Sequence, residues 1–411
     1  MGAFTRFFTS IFILMAFINN PAVAKINDID LLNRNLDNDL IAVIYFSDQP
    51  SVLNGKARGD LFGNYAIQFA TPGGLVENEF NSLNAIAVEA KGETLSAIRS
   101  QDNIEEIWIL PNQVAITYIR IMKSIERHMQ LPPPSVVNIS ISPSADTMPL
   151  YGNLDEPMSR ITKISAEKGH IPVLAAGNYY ADVFGEDNKG FISPWGYPPW
   201  VICVAAVDET GIEIYSRSAR GEPNDPLTWP DVSGDGIDVI GPYPTYLEKS
   251  QSRKERDETS DKFTNRIPKK DWDIYTLESG TSQATGHVSG ALAQVLHFLQ
   301  KTEESGHDIF YVEYTAEQLE RVKRLTHKRL IGEISEIDNG YVIHYPTKPY
   351  WAIAKQLLID TSIEIPNAKG FETGAGFVNK SNINANFGIF GLVDIKIQPH
   401  EVYRKKSKIE R

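Results

Sequence analysis

Apolar positions fall into two regimes along the chain. In residues 25–112 they come as short runs. Ile41, Ala42, Val43, Ile44, Tyr45 and Phe46 read as a strand, stopped by Ser47, Asp48, Gln49 and Pro50. Asn84 to Val88 reads as a second strand. Gly92 precedes a helix with Leu95 and Ile98 three apart, and residues 104–109 read as a third strand. Two strands, then a helix and a strand, predict a small α+β unit with its helices on one face of a sheet.

From Ile119 onward the pattern becomes helix–strand alternation. Ile121, Ile125 and Met129 repeat every four residues, the apolar stripe of a helix that Pro132, Pro133 and Pro134 end. Residues 136–141 follow as a strand. The next helix has Asp155 as its expected N-cap, Pro157 in its first turn, Ile161 and Ile164 on its buried face, and Gly169 after its end. Residues 171–176 and 201–207 are near-continuous apolar runs, which suits parallel strands covered on both faces. The alternation predicts an α/β fold with a doubly wound parallel sheet. Two stretches interrupt it. Residues 248–270 are dense in Lys, Arg, Asp and Glu and read as a solvated loop. Residues 303–351 form a longer insertion with a helix over 316–327. The basic run Arg404 to Lys408 reads as a solvated end.

Composition narrows the function classes. Forty basic against 52 acidic side chains leave a net charge of -12, opposite to what a nucleic-acid partner requires. The one cysteine, Cys203, excludes an intrachain disulfide and a cysteine-based zinc site, and no metal or cofactor is expected. Residues 1–24 read as a cleaved export signal: Arg6, then an apolar run from Phe7 to Ile18, then Ala22-Val23-Ala24 before Lys25. That run is shorter than the roughly 20 residues a membrane span needs. A secreted or periplasmic protein without stable membrane insertion is expected.

The chemistry concentrates at residues 280–290, Gly-Thr-Ser-Gln-Ala-Thr-Gly-His-Val-Ser-Gly. Ser282 opens a helix whose later face is Val288, Leu292, Val295 and Leu299. A serine at a helix N-terminus sits among unpaired N–H groups that can stabilise developing negative charge, a suitable place for an acyl-transfer nucleophile. Taken alone, the same features also describe a serine capping a core helix.

This stretch resembles the nucleophile motif of the subtilisin-like serine proteases, G-T-S-x-A-x-P-H-V-x-G, with Gly286 in place of the proline. Other segments follow in the family's order. Residues 136–141 (V-V-N-I-S-I) are similar to the substrate-binding strand, and residues 173–178 (V-L-A-A-G-N) to the strand ending in the oxyanion-hole asparagine. Residues 197–208 are similar to Y-P-x-x-V-I-x-V-x-A-V-D. Residues 238–242 are similar to D-V-x-A-P-G with its Ala-Pro order disturbed, and residues 374–379 to the closing G-x-G-x-V-N turn. The resemblance implies Ser282 at the nucleophile position, Asn178 in the oxyanion hole, and Ser140, Ile141 and Ser142 as the substrate-binding segment. It implies a polypeptide substrate or protein partner. Residues 25–112 resemble the family's ferredoxin-like inhibitory propeptide. The expected organisation is a signal at 1–24, a propeptide-like unit at 25–112, a subtilase-like domain at 113–395 truncated in its N-terminal part, and a tail at 396–411.

The resemblance also exposes departures. The family's D-[ST]-G strand end and H-G-T-x-V-A-G helix start do not occur in the sequence, so no catalytic Asp and His are recognisable. His287 belongs to the nucleophile motif as a packed residue. His128 and His170 read as surface histidines. Asp360-Thr361-Ser362 falls where the closing helix is expected, and Glu278, four residues before Ser282, is a weak stand-in for an acid. Ser142 and Pro143 occupy the places of the family's Gly-Gly, and Pro143 offers no N–H to an added strand. Three readings stay open: a peptidase whose base is unrecognised or supplied by another chain, a pseudoprotease kept as a binding or structural module, and the product of a shortened gene. Three expectations follow for the structure. The strands around Val137, Val173 and Val204 share a parallel sheet, the Asn178 amide and the Ser282 N–H converge, and no imidazole reaches the Ser282 hydroxyl.

Overall fold

The computed structural model describes residues 25–26, 32–33, 35–46, 68–69, 79–99, 104–110, 115–143, 153–178, 192–244, 247–306, 309–325, 333–338, 340–379 and 397–399. The expected signal at 1–24 and the basic run at 404–408 lie outside the described residues. Two compact units emerge, residues 1–127 with 155–161, and residues 128–154 with 162–411.

The first unit contains β1 (Lys25–Ile26), β2 (Asp39–Phe46), β3 (Gln68–Phe69), β4 (Glu79–Phe80), β5 (Ala85–Lys91), α1 (Gly92–Ile98), β6 (Ile104–Leu110) and all but the last residue of α2 (Ala115–His128). The strand order is β1-β6-β2-β5-β3, with β4 also on β5. The pairs β6–β2, β2–β5 and β5–β3 are antiparallel, an order that agrees with a ferredoxin-like sheet. Alternation sorts the side chains. Leu40, Ala42, Ile44 and Phe46 join Ile86, Val88, Ile107 and Ile109 in one cluster, which Leu95 and Ile98 of α1 cover. A Cβ at Gly92 would lie 2.4 Å from the Asn35 carbonyl oxygen, so only glycine lets α1 start so close to that turn. On the other face the Arg160 guanidinium lies 4.3 Å from the Tyr45 ring centroid and pairs with the buried Glu106.

The second unit carries β7 (Ser135–Ile139), most of α3 (Pro157–Glu167), β8 (His170–Ala175), β9 (Ile202–Val207), β10 (Val232–Asp235) and β11 (Val239–Pro242). The helices α4 (Gln251–Thr259) and α5 (Asp261–Arg266) follow, then β12 (Tyr275–Glu278) and α6 (Thr281–Glu304). Strands β7 to β10 form one parallel sheet in the order β10-β9-β8-β7, with Val137 on β7, Val173 on β8 and Val204 on β9. Every residue of β8 and β9 is buried, as two-sided cover requires. Ile171, Val173, Ile202, Val204 and Val232 pack against Ala284, Val288, Ala291, Leu292 and Val295 of α6, while Cys203 joins Ala176, Ile192 and Ala219 in a separate cluster. The fold is the α/β class expected from the sequence.

Several local expectations are corrected. The charged stretch 248–270 is no loop: Ser250 and Ser260 cap α4 and α5 by accepting the N–H groups of Arg253 and Phe263. Between them Lys249 is buried, donating to Asp257 at 2.8 Å and to the carbonyls of Trp272 and Tyr275. The helix expected over 316–327 is α7 (Ala316–Leu325). Around it β13 (Ile309–Tyr314), β14 (Glu333–Ile337), β15 (Gly340–Pro346) and β16 (Ile397–Pro399) form an antiparallel sheet, order β14-β15-β13-β16. The chain then closes with α8 (Tyr350–Thr361) and α9 (Gly370–Thr373), which precede β16. Glu156, not Asp155, caps α3: its carboxylate accepts the N–H groups of Met158 and Ser159. His170 is buried rather than on the surface.

Candidate functional site

The site lies at the C-terminal edge of the parallel sheet. Strand β8 ends at Ala175, and Asn178 follows it three residues on. Helix α6 begins at Thr281, which makes Ser282 its second residue. The Asn178 Oδ1 accepts the Thr281 N–H at 2.8 Å and the Thr281 hydroxyl at 3.0 Å, while Thr281 Oγ1 accepts the Gly177 N–H at 3.1 Å. The strand end and the helix start are thus sewn together. A Cβ on Gly280 would fall 2.7 Å from Asn178 Nδ2, so glycine there is what admits the carboxamide. The N–H groups of Gln283 and Ala284 turn back to the Gly280 carbonyl. Among the described residues, the Ser282 N–H is left without a protein acceptor, one residue on from the Thr281 N–H that Asn178 holds. An orphan donor at a helix start is suited to an oxyanion.

The Ser282 hydroxyl donates to the Ser140 carbonyl oxygen at 2.8 Å, and the Ser140 hydroxyl donates back to the Ser282 carbonyl at 2.9 Å. Ser140 follows β7 directly; Ile141 beside it is half exposed and Ser142 partly buried. Among the described residues no imidazole is bonded to Ser282. His287 is turned elsewhere: its Nδ1 accepts the Asp235 N–H at 3.0 Å and its ring stacks on Phe377 at 5.6 Å. That bond requires an unprotonated Nδ1. The Asp235 carboxyl is raised above the usual range, chiefly by burial, with Lys262 opposing.

Among the described residues, none of the remaining candidates is bonded to Ser282. His128 Nε2 and His170 Nδ1 both stand 2.7 Å from Ser135 Oγ, at the opposite end of β7 from Ser140. Glu278 pairs with Arg253. Asp360 is buried, accepting from Tyr314 and Tyr345 and, at 2.7 Å, from Gln356. Two residues with no assigned role in the sequence join the site. Asn138 Nδ2 donates to Ser140 Oγ at 2.9 Å, and Ser289 Oγ donates to Asn138 Oδ1 at 2.9 Å. The signal was spacing: 138 and 140 share one face of a strand, and 282 and 289 are two turns apart on a helix.

A parallel α/β domain with a serine opening a helix at the strands' C-terminal edge defines a class of hydrolase-like folds. The sequence profile of the Subtilase family matches residues 106–341, and the chain belongs to that family. No curated protein matches it in sequence. Among solved structures, it is similar to an epidermin leader-peptide-processing serine protease from Staphylococcus aureus, at 11% identity and TM-score 0.45, covering 84% of this chain and 99% of that one. A lanthipeptide protease is similar at 16% identity and TM-score 0.39, covering 69% and 70%. The prenylagaramide maturation protease PagA is similar at 15% and 0.37, covering 64% of this chain; the chain spans 65% of PagA's length.

Proposed function

We propose that this is an exported subtilase-family protein that keeps the nucleophile serine, Ser282, and the oxyanion asparagine, Asn178, but lacks the catalytic Asp and His, and so has weak or no peptidase activity. Residues 25–112 act as its propeptide-like unit, and Ser140, Ile141 and Ser142 form its substrate-binding segment toward a polypeptide. The carrying observation is the acceptor on Ser282: a backbone carbonyl oxygen at 2.8 Å. An amide oxygen accepts a hydrogen bond but does not take the proton, so it cannot serve as the general base that an attacking hydroxyl needs. Donors alone leave a residual acceleration of about 10³–10⁴ over water.

The test is made on protein recovered from the periplasm or medium of an expressing bacterium. The expected mature N-terminus is Lys25. Hydrolysis of unstructured casein is expected to match that of Ser282→Ala. Cleavage well above that control, or retention of residues 1–24 in the cytosolic fraction, contradicts the reading.

A further inference from the structure

Two rungs join β7 to α6. In the first, Ser140 and Ser282 exchange hydroxyl-to-carbonyl bonds at 2.8 and 2.9 Å. In the second, two turns along the helix, Ser289 Oγ donates to Asn138 Oδ1 at 2.9 Å. Asn138 Nδ2 links the rungs by donating to Ser140 Oγ at 2.9 Å. Donation therefore runs one way, Ser289 to Asn138 to Ser140 to the Ser282 carbonyl, and each bond polarises the next. The outer members are accessible: Asn138 is exposed and Ser289 partly so. Its helical neighbours Gly286 and Gly290 are exposed as well, with nothing within 4 Å of where a Cβ would stand.

We propose that Asn138 and Ser289 are positioning residues of a clasp that holds the Ser282 hydroxyl on the Ser140 carbonyl and keeps it from an incoming electrophile. The ladder fixes Ser140, and Ser140 presents the carbonyl that occupies the Ser282 proton. This deepens the preceding proposal and, for its chemical consequence, rests on reading Ser282 as the nucleophile. Loosening the clasp frees the hydroxyl for a base supplied from solution.

The experiment measures phosphonylation of the full chain by a fluorophosphonate with added imidazole, by intact mass. Ser282 Oγ forms the bond to phosphorus, the phosphorus–fluorine bond breaks, fluoride leaves, and imidazole takes the hydroxyl proton. One net hydrogen bond shifts an equilibrium by roughly three- to tenfold. Asn138→Ala and Ser289→Ala are expected to label faster than wild type by about that factor. Ser289→Thr keeps the hydroxyl, has room for its methyl, and is expected to behave as wild type. Amide exchange across residues 279–286 is followed in parallel and is expected to quicken in the two alanine variants. Equal labelling and equal exchange in all forms overturn the clasp. Faster exchange with no labelling anywhere upholds the clasp and overturns the nucleophile reading instead. Ser289→Thr labelling like Ser289→Ala also overturns the clasp, because the hydroxyl would then be irrelevant.

Discussion

At the scale of the residue, the histidines show how much depends on surroundings that a sequence does not display. From its place just before the apolar run 171–176, His170 reads as a surface histidine. In the structure it is buried, with Nδ1 on Ser135 Oγ, and its pKa is lowered, first by burial, then by His128 and Lys168. The consequence for stability has a definite sign. Where the folded pKa lies below the unfolded value of about 6.5, the unfolded state binds more protons, so stability rises with pH through that window. The contribution is complete above pH 6.5 and declines as the solution is acidified below it. Urea unfolding at a series of pH values from 7.5 to about 5 is expected to show this decline in the wild type. In His170→Gln the decline over that range is expected to flatten. An equal slope in both proteins would show that His170 does not set it.

At the scale of the element, what periodicity can and cannot reveal is plain in two regions. The strands β8 and β9 were legible because two-sided burial leaves continuous apolar runs, and α6 because Val288, Leu292, Val295 and Leu299 repeat at helical spacing. The segment 248–270 was not legible: more than half of its residues are charged, and α4 and α5 are held by serine caps and ion pairs, the buried Lys249–Asp257 among them, rather than by an apolar stripe. In the candidate site, Ser282 and Asn178 were legible from motif order. The ladder through Asn138 and Ser289 was not, because it depends on pairing across 151 residues of chain. The buried pair yields the prediction at this scale. Burial by itself would raise Asp257, but bonds from Lys249, the Leu277 N–H and Thr276 outweigh it and hold the carboxyl below its usual range. Removing Lys249 takes away the buried counter-ion and leaves that carboxylate only the half-exposed Arg256 guanidinium at 3.3 Å, a loss of about 3 kcal/mol. Chemical denaturation of Lys249→Ala is expected to show a loss of that order. A change under about 0.5 kcal/mol, the range of an ordinary surface substitution, would mean that the pair does not hold α4 in place.

At the scale of the whole molecule, the chain is a subtilase-family member whose family match covers residues 106–341. At the C-terminal end of β8 the Asn178 carboxamide oxygen holds the Thr281 N–H where α6 opens, and on the proposed reading this is what remains of an oxyanion site. On that reading the acceptors are of the wrong kind: Ser282 faces a carbonyl, His287 is turned to Asp235, and the Ser135 histidines lie at the far end of β7. Stoichiometry of fluorophosphonate adduct on purified mature protein, read by intact mass without added base and with Ser282→Ala alongside, tests that claim most directly. The expected result is no adduct on either protein over hours at neutral pH. A full equivalent on the wild type that vanishes in Ser282→Ala would contradict the account, because it would require a base acting on Ser282.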